Sequence, residues 1–224
     1  MADGNVYLAG DIGSTPTYAY YWENGMTHVL PVPTSYSAEA TSIYVSGSNV
    51  YVSGFYHTST GPVVPCYWLN GNRYDLPCST GGGEALSIDV STGSIIIAGY
   101  YYNGSIYVAC YWSNGIKYDL PLVGSYNTYA NSLSISPEGD ILIAGFYGTS
   151  STTACYWDNG TKIDRNVTGI QPVAYAIYAA GTGVYTAGRY GTTKTIGYYW
   201  SDSEKDLSPP NGGYSTDAIT ILVQ

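Results

Sequence analysis

The chain has 224 residues, of which 10% are charged, and seven basic against 16 acidic residues give a formal net charge of −9. A soluble domain ordinarily has roughly 25% charged residues. So few cations exclude the basic surface that binds nucleic acid or an anionic membrane. A hydrophobic content of 45%, with 15% aromatic residues, excludes a disordered chain.

The N-terminal residues MADGNVY have neither the basic nor the apolar region of a signal peptide. We therefore expect either a cytoplasmic protein or a chain that begins after a removed signal. Further along, residues 93–116 carry no charge and have the length of a membrane span. Asn103-Gly104 and Asn114-Gly115 divide this segment into pieces of strand length, so we predict no membrane insertion.

An internal repeat organises the sequence. The five tryptophans recur at spacings of 43 to 46 residues, at Trp22, Trp68, Trp112, Trp157 and Trp200. A second marker is a glycine preceded by Ala or Ser, which itself follows Leu, Val, Ile or Thr. This glycine recurs with the same period, at Gly10, Gly54, Gly99, Gly145 and Gly188. Two independent markers with one period indicate five copies of one unit.

Each copy has the pattern of four short strands. In the copy that begins at Thr41, the predicted strands are 41–46, 50–56, 63–69 and 73–76, rich in β-branched and aromatic residues. Asn70-Gly71 joins the third strand to the fourth, and Asn-Gly is the preferred two-residue hairpin turn. The same Trp-x-Asn-Gly follows three other tryptophans, whereas the last copy has Trp-Ser-Asp-Ser.

The repeat predicts an all-β fold, a five-bladed β-propeller of four-stranded blades. Five units of about 45 residues account for residues 1–224, so we predict a single domain. Residues 3–8 match the turn into a second strand, and residues 218–223 match a first strand. We therefore expect closure of the ring, with a C-terminal innermost strand joining three N-terminal strands in one blade.

The repeat unit resembles that of a family of bacterial repeat proteins whose unit reads roughly VYVAGY, then YWxNG, then ATSIYV. Here these motifs are VYVSG at 50–54, CYWLNG at 66–71 and ATSIYVSG at 40–47. The resemblance spans the chain and implies a propeller. Members are commonly secreted or lipid-anchored and mostly without assigned activity, so it also implies an extracellular or cell-surface location and carries over no catalytic residue.

The cysteines and the tryptophans are interpreted as core residues. Cys66, Cys110 and Cys155 each precede Tyr-Trp and share one repeat position, so we predict unbridged, buried thiols. A tryptophan before a hairpin turn in an apolar strand is predicted to pack one blade against the next. The alternative is an exposed platform for a sugar in each blade.

Candidate binding residues lie on the connections between strands two and three and between blades, which open on the same face of a propeller. Exposed Tyr among Ser, Gly and Asn is typical of recognition surfaces. The alternative is that a chain with 27 tyrosines has Tyr in these connections simply because the residue is frequent throughout. The candidates are Tyr36, Tyr56, Tyr101, Tyr126, Tyr129, Tyr147, Tyr190 and Tyr214.

A second set of candidates comes from aligning the first strands on their isoleucines. This alignment places five residues at one position at the mouth of the central channel, namely Glu39, Glu84, Asn131, Val173 and Asp217. Three acids and an amide around one opening could bind sugar hydroxyls or Ca²⁺, although we predict no required cofactor. The alternative is a set of solvated strand starts.

The sequence favours a non-enzymatic recognition module that binds carbohydrate, lectin-like and multivalent, on its loop-rich face. The alternative is a structural or surface protein that binds a protein partner in a cell envelope or a virion. A glycosidase that uses Glu39, Glu84 or Asp217 is a remote third hypothesis.

Overall fold

A computed structural model describes residues 4–14, 16–33, 36–181, 183–201, 203–207 and 215–222. The described residues form nineteen strands in five antiparallel sheets, and within each sheet the strands lie in sequence order. Among these residues no helix has the length and hydropathy needed to cross a membrane. The all-β prediction and the five repeated sheets are confirmed.

The first sheet has three described strands, and the second and third sheets have four each. The first sheet consists of β1 (Tyr7–Ile12), β2 (Tyr18–Glu23) and β3 (Met26–Val29). The second consists of β4 (Ala38–Ser46), β5 (Asn49–Tyr56), β6 (Val64–Leu69) and β7 (Asn72–Asp75). The third consists of β8 (Gly83–Ser91), β9 (Ser94–Tyr102), β10 (Tyr107–Ser113) and β11 (Ile116–Asp119).

The fourth and fifth sheets also have four strands each. The fourth consists of β12 (Thr128–Ile135), β13 (Ile141–Gly148), β14 (Thr152–Asp158) and β15 (Thr161–Asp164). The fifth consists of β16 (Val173–Ala180), β17 (Gly183–Tyr190), β18 (Ile196–Trp200) and β19 (Glu204–Leu207). Contacts divide the chain into two compact units, one of residues 1–105 and 111–118 and the other of residues 106–110 and 119–224.

The Asn-Gly hairpins form as the sequence predicts. Asn70 and Gly71 have φ values of 50° and 80°, and the turns at Asn24, Asn114 and Asn159 have the same conformation. Each asparagine also closes the end of its sheet, since the Asn70 side-chain oxygen accepts the backbone N–H of Val50 at 2.9 Å. In the last copy, Asp202 lies outside the described residues.

A bulge near the start of each inner strand explains the repeat glycine. In the third sheet the register shifts between Ala85 and Ser87, which brings the Glu84 carbonyl over Gly99. A Cβ at Gly99 would lie 2.0 Å from that oxygen, so only glycine fits. The same bulge and the same contact recur at Gly54, Gly145 and Gly188.

Three of the five repeat tryptophans pack in the core, as predicted, and Trp22 and Trp200 are partly exposed. Trp68, Trp112 and Trp157 are 0% exposed, which excludes these three as sugar platforms. Trp68 donates its indole N–H to the Pro31 carbonyl at 3.0 Å, and Trp112 donates to Pro77 at 2.8 Å. Each of these bonds joins a sheet to the segment that leaves the preceding sheet.

The cysteine prediction is confirmed for Cys66, Cys110 and Cys155, whose free thiols are fully buried. Burial raises the pKa of Cys66 and Cys155, so both remain protonated and unreactive at neutral pH.

The C-terminal strand of the closure prediction is not confirmed. Residues 215–222 have no strand assignment, and the first sheet has three strands among the residues that the structure describes. Val223, the last residue of the predicted strand, lies outside the described residues. Ring closure and the single domain remain predictions.

Candidate functional site

Two loops meet at one end of each sheet. The connection that precedes an inner strand lies beside the end of the second strand, because Ala38 pairs with Tyr56 and Thr128 pairs with Tyr147. A backbone hydrogen bond fixes the two loops together in the fourth sheet, where Gly148 N–H donates to the Asn127 carbonyl at 2.9 Å. We call these two segments the loop pair.

Two positions of the loop pair recur in every copy. The connecting position lies two residues before the inner-strand residue that is opposite the strand end. It is occupied by Tyr36, Gly81, Tyr126 and Ile170, and the repeat spacing of the sequence assigns Tyr214 to it. The strand-end position, two residues after the repeat glycine, is occupied by Ile12, Tyr56, Tyr101, Tyr147 and Tyr190. Four strand ends therefore carry Tyr, whereas the connecting position varies.

The loop pairs of the fourth and fifth sheets form two equivalent depressions. One has a volume of about 250 Å³ and is lined by Tyr126 and Tyr147 with the hydroxyl-bearing residues 149–151 and Thr153. The other has a volume of about 540 Å³ and is lined by Ile170 and Tyr190 with residues 191–194. In the second sheet the rings of Tyr36 and Tyr56 lie 7° from parallel, with their centroids 6.3 Å apart.

A cation and a carboxylate from the outermost strand fix the strand-end tyrosine. Tyr56 donates its hydroxyl to Asp75 at 3.2 Å, and the Arg73 guanidinium lies 4.8 Å from the Tyr56 ring centroid. Arg73 also donates to Asp75 at 2.8 Å. Each of the three groups contacts the other two, so the ring is fixed before any ligand arrives.

This arrangement recurs in the other unit. Tyr147 donates to Asp164 at 3.3 Å, and Lys162 contacts Asp164 while lying 4.6 Å from the Tyr147 ring centroid. Tyr190 donates to Asp206 at 3.1 Å. The sequence signal is a basic residue two positions before Asp in the fourth strand, as in NRYD and TKID, and the sequence analysis missed it.

The environments of Tyr56 and Tyr190 raise the pKa of these two phenols. Burial raises the pKa of Tyr56, and the nearby charge of Asp75 raises it further. Burial and the hydrogen bond to Asp206 raise the pKa of Tyr190. Both phenols therefore remain neutral at physiological pH and donate to their carboxylates.

Several predicted tyrosines lie in the loop pairs, with one correction to their exposure. Tyr126 is 50% exposed, and Tyr36, Tyr147 and Tyr190 are partly exposed. Tyr56 and Tyr101 were expected to be exposed and are instead buried, because each ring lies under the side chain of a cation. Tyr214 lies outside the described residues.

Tyr129 belongs to a different surface. Its ring lies between those of Phe146 and Tyr107, with centroids at 4.7 and 5.4 Å. It is therefore part of an aromatic cluster on the inner strand and does not line the depression of the fourth sheet.

The alignment of the inner-strand column was wrong for Asn131. Glu39, Glu84 and Val173 each lie opposite the residue after the repeat glycine, and in the fourth sheet Tyr129 has this position. Asn131 lies two residues later, at the bulge. The reason is that Leu133 has the position in the fourth sheet that an isoleucine has in the other three, whereas the alignment used Ile135. The side-chain amide of Asn131 donates to the Ala174 carbonyl at 2.8 Å and so joins two inner strands.

Two of the three acids of the column, Glu39 and Asp217, have a local partner. His57 Nε2 lies 3.9 Å from Glu39 Oε1, and Arg189 Nε lies 3.9 Å from Asp217 Oδ1. Burial and the nearby charge of Asp11 raise the pKa of Glu39, against the lowering effect of His57. Among the described residues no three His, Cys, Asp or Glu side chains are grouped to hold a metal, so the Ca²⁺ hypothesis gains no support.

The chain is similar to known proteins in its fold and not in its sequence. No family model and no curated protein sequence matches it. It is similar to an ulvan lyase bound to -[GlcA(1-4)Rha3S]-, with a TM-score of 0.56 and 11% identity over 87% of this chain and 63% of that one. The chain thus spans less than two thirds of the lyase. It also matches an Aleuria aurantia lectin in complex with Fucα1-6GlcNAc, with a TM-score of 0.47 and 9% identity over 88% of this chain and 74% of that one.

The buried and hydrogen-bonded phenols predict loss of stability at alkaline pH. The folded state raises the pKa of Tyr21, Tyr56, Tyr190 and Tyr198, mainly by burial. Their stabilisation is fully present below the ordinary pKa of 10.0 and is lost as the pH rises through the higher folded values. We expect the melting temperature to fall by about 10 °C or more between pH 9 and 11. A melting temperature that stays constant to pH 11, with tyrosine ionisation complete at 295 nm, would contradict this.

Proposed function

We propose that the protein is a non-enzymatic module that binds carbohydrate at its loop pairs. The observation that carries the proposal is the recurrence of one depression in the fourth and fifth sheets, each with a Tyr at the strand-end position. Both depressions combine an aromatic ring with hydroxyl-bearing side chains.

The chemistry of the depressions suits a sugar. A pyranose presents an apolar face of C–H groups and an edge of hydroxyls, and the ring of Tyr147 and the hydroxyls of residues 149–151 provide matching groups. The Tyr147 ring is already fixed by Lys162 and Asp164, which lowers the entropy cost of binding. Each site is shallow, and a multivalent glycan gains affinity by occupying more than one.

The alternative function, a surface protein that binds a protein partner, draws support from another part of the chain. Tyr67 and Tyr74 stack at 5.0 Å, and Tyr111 and Tyr118 stack at 5.1 Å. Tyr74 and Tyr118 are 46% and 44% exposed on the outermost strands β7 and β11. Exposed stacked tyrosines are typical of protein interfaces. For either function we propose an extracellular or cell-surface location.

A glycan array followed by paired variants tests carbohydrate binding. We expect a set of related glycans to be retained, and Tyr126→Ala and Tyr147→Ala each to weaken retention about fivefold or more because each removes a ring from the depression. Tyr118→Ala, which removes an exposed Tyr that does not line the depression, is the matched control and retains full binding. An array without binding to folded protein would contradict the proposal and favour the protein partner.

The proposed fold is a five-bladed propeller that the C-terminal segment closes. At the start of β4, Ala38 N–H donates to the Thr17 carbonyl at 3.0 Å, and at the start of β8, Gly83 N–H donates to Val63 at 3.0 Å. Thr216 N–H donates to the Thr195 carbonyl at 2.9 Å in the same way. Residues 215–222 therefore leave the fifth sheet as an inner strand does when it enters the next sheet.

Two further observations support closure. Ser215 accepts the backbone N–H of Thr195, as Ser37 accepts that of Thr17 at the start of β4. Position 10 also has the repeat glycine, although the described residues leave room there for a side chain. A Cβ on Gly10 would meet only the Trp22 ring among them, at 3.5 Å or more. In a closed ring the carbonyl of Asp217 would approach Gly10 as the Glu39 carbonyl approaches Gly54.

Alanine at two repeat glycines tests closure. Gly54→Ala is expected to lower the free energy of unfolding by about 2–3 kcal/mol, because its Cβ would lie 2.0 Å from the Glu39 carbonyl. Gly10→Ala should cost a similar amount in the full chain and much less after deletion of residues 218–224, which should itself cause aggregation or strong destabilisation. Urea unfolding is measured for the wild type, for each alanine variant, for the truncated chain and for the truncated chain with Gly10→Ala. A Gly10→Ala chain as stable as the wild type, or a truncated chain with an unchanged melting curve, would contradict closure.

A further inference from the structure

The depression of the fifth sheet carries a charge that its counterpart lacks. Lys194 lines it together with Tyr190 and Ile170. Among the described residues, no charged side chain lines the depression of the fourth sheet, where Ser151 stands four residues after the strand-end Tyr as Lys194 does. The two depressions therefore share a framework and differ in charge.

Lys194 is one of few cations in the protein that is free to meet a ligand. Of the seven basic residues, Arg73 and Lys162 pair with carboxylates, and Arg165 is buried. Arg189 donates to the Tyr175 hydroxyl at 2.7 Å. Lys194 is exposed, and the part of the chain that the structure describes contains no carboxylate within ion-pair distance of it.

The rest of this depression is fixed and suited to a sugar ring. A Cβ at Gly169 would lie 2.1 Å from the Tyr190 ring, so the ring rests directly on the Gly169 backbone. Asp206 holds the Tyr190 hydroxyl at 3.1 Å. Ile170 adds an apolar surface, and Thr192 and Thr193 add hydroxyls next to Lys194.

We infer that the depression of Ile170, Tyr190 and Lys194 selects an acidic saccharide, one that carries a carboxylate or a sulfate. The sugar ring lies against Tyr190 and Ile170, and the Lys194 ammonium donates to the anionic group. This inference rests on the proposed carbohydrate binding and adds the ligand class of one site. The neutral depression of the fourth sheet has no means of making the same selection.

Ligand-observed NMR titrations with glucuronic acid, glucose 6-sulfate and glucose test the inference. We expect the two acidic sugars to bind the wild type about fivefold more tightly than glucose, and the preference to shrink in 0.5 M NaCl because the charge is exposed. Lys194→Gln should remove the preference. Lys205→Gln, which removes an exposed lysine of the same sheet outside the depression, should keep it. The two acidic sugars separate carboxylate from sulfate recognition.

The outcomes separate this inference from the proposed function. Equal binding of acidic and neutral sugars, or a preference that survives Lys194→Gln, overturns the inference. Glucose binding that is weakened in Tyr147→Ala then leaves the proposed function standing. Sodium acetate as an equally good competitor overturns the saccharide part, since it has no ring to contact Tyr190. No binding of any of the three sugars or of a glycan on the array overturns both.

Discussion

The structure depends on one close contact near the start of each described inner strand. There the carbonyl of the residue that precedes the β-bulge lies against the repeat glycine of the neighbouring strand. In four sheets a Cβ on this glycine would lie 1.8 to 2.0 Å from the carbonyl oxygen. The bulge also turns one side chain toward the next inner strand, where Thr41 donates to the Ala85 carbonyl and Asn131 to Ala174, both at 2.8 Å. The same local distortion thus excludes every residue but glycine and joins successive sheets.

The loop pairs follow from this contact. Because the register at the glycine is fixed, the residue two positions later always reaches the connection that precedes the inner strand, as Tyr147 does beside Thr128. The outermost strand then fixes the tyrosine, through an acid for Tyr56, Tyr147 and Tyr190. A cation from that strand lies over the ring of Tyr56, Tyr101 and Tyr147. The framework of the site is repeated, whereas the connecting position changes from Tyr126 to Ile170 without disturbing it. Such a division lets one fold present sites of different selectivity.

Features determined by neighbouring residues were predictable from the sequence, and features determined across strands were not. The Asn-Gly hairpins depend on two adjacent residues, and the strand order follows from the repeat. The pairing across strands, in contrast, shows that Leu133 and not Ile135 has the isoleucine position in the fourth sheet, so Asn131 was placed in the wrong column. Burial of Tyr56 depends on Arg73, two strands away. Arg165 is a further example, since it occupies the repeat position of Leu30, Leu76 and Leu120 and lies buried over the Tyr156 ring.

The central claim is that the repeated loop pair is a repeated carbohydrate site. The most direct measurement is the number of ligands bound per chain, by native mass spectrometry with the glycan retained best on the array. The account predicts at least two ligands on the wild type and one fewer on Tyr147→Ala, because that substitution removes the ring of one depression and leaves the depression of Tyr190 intact. A single ligand on the wild type, or an unchanged number on Tyr147→Ala, would contradict it.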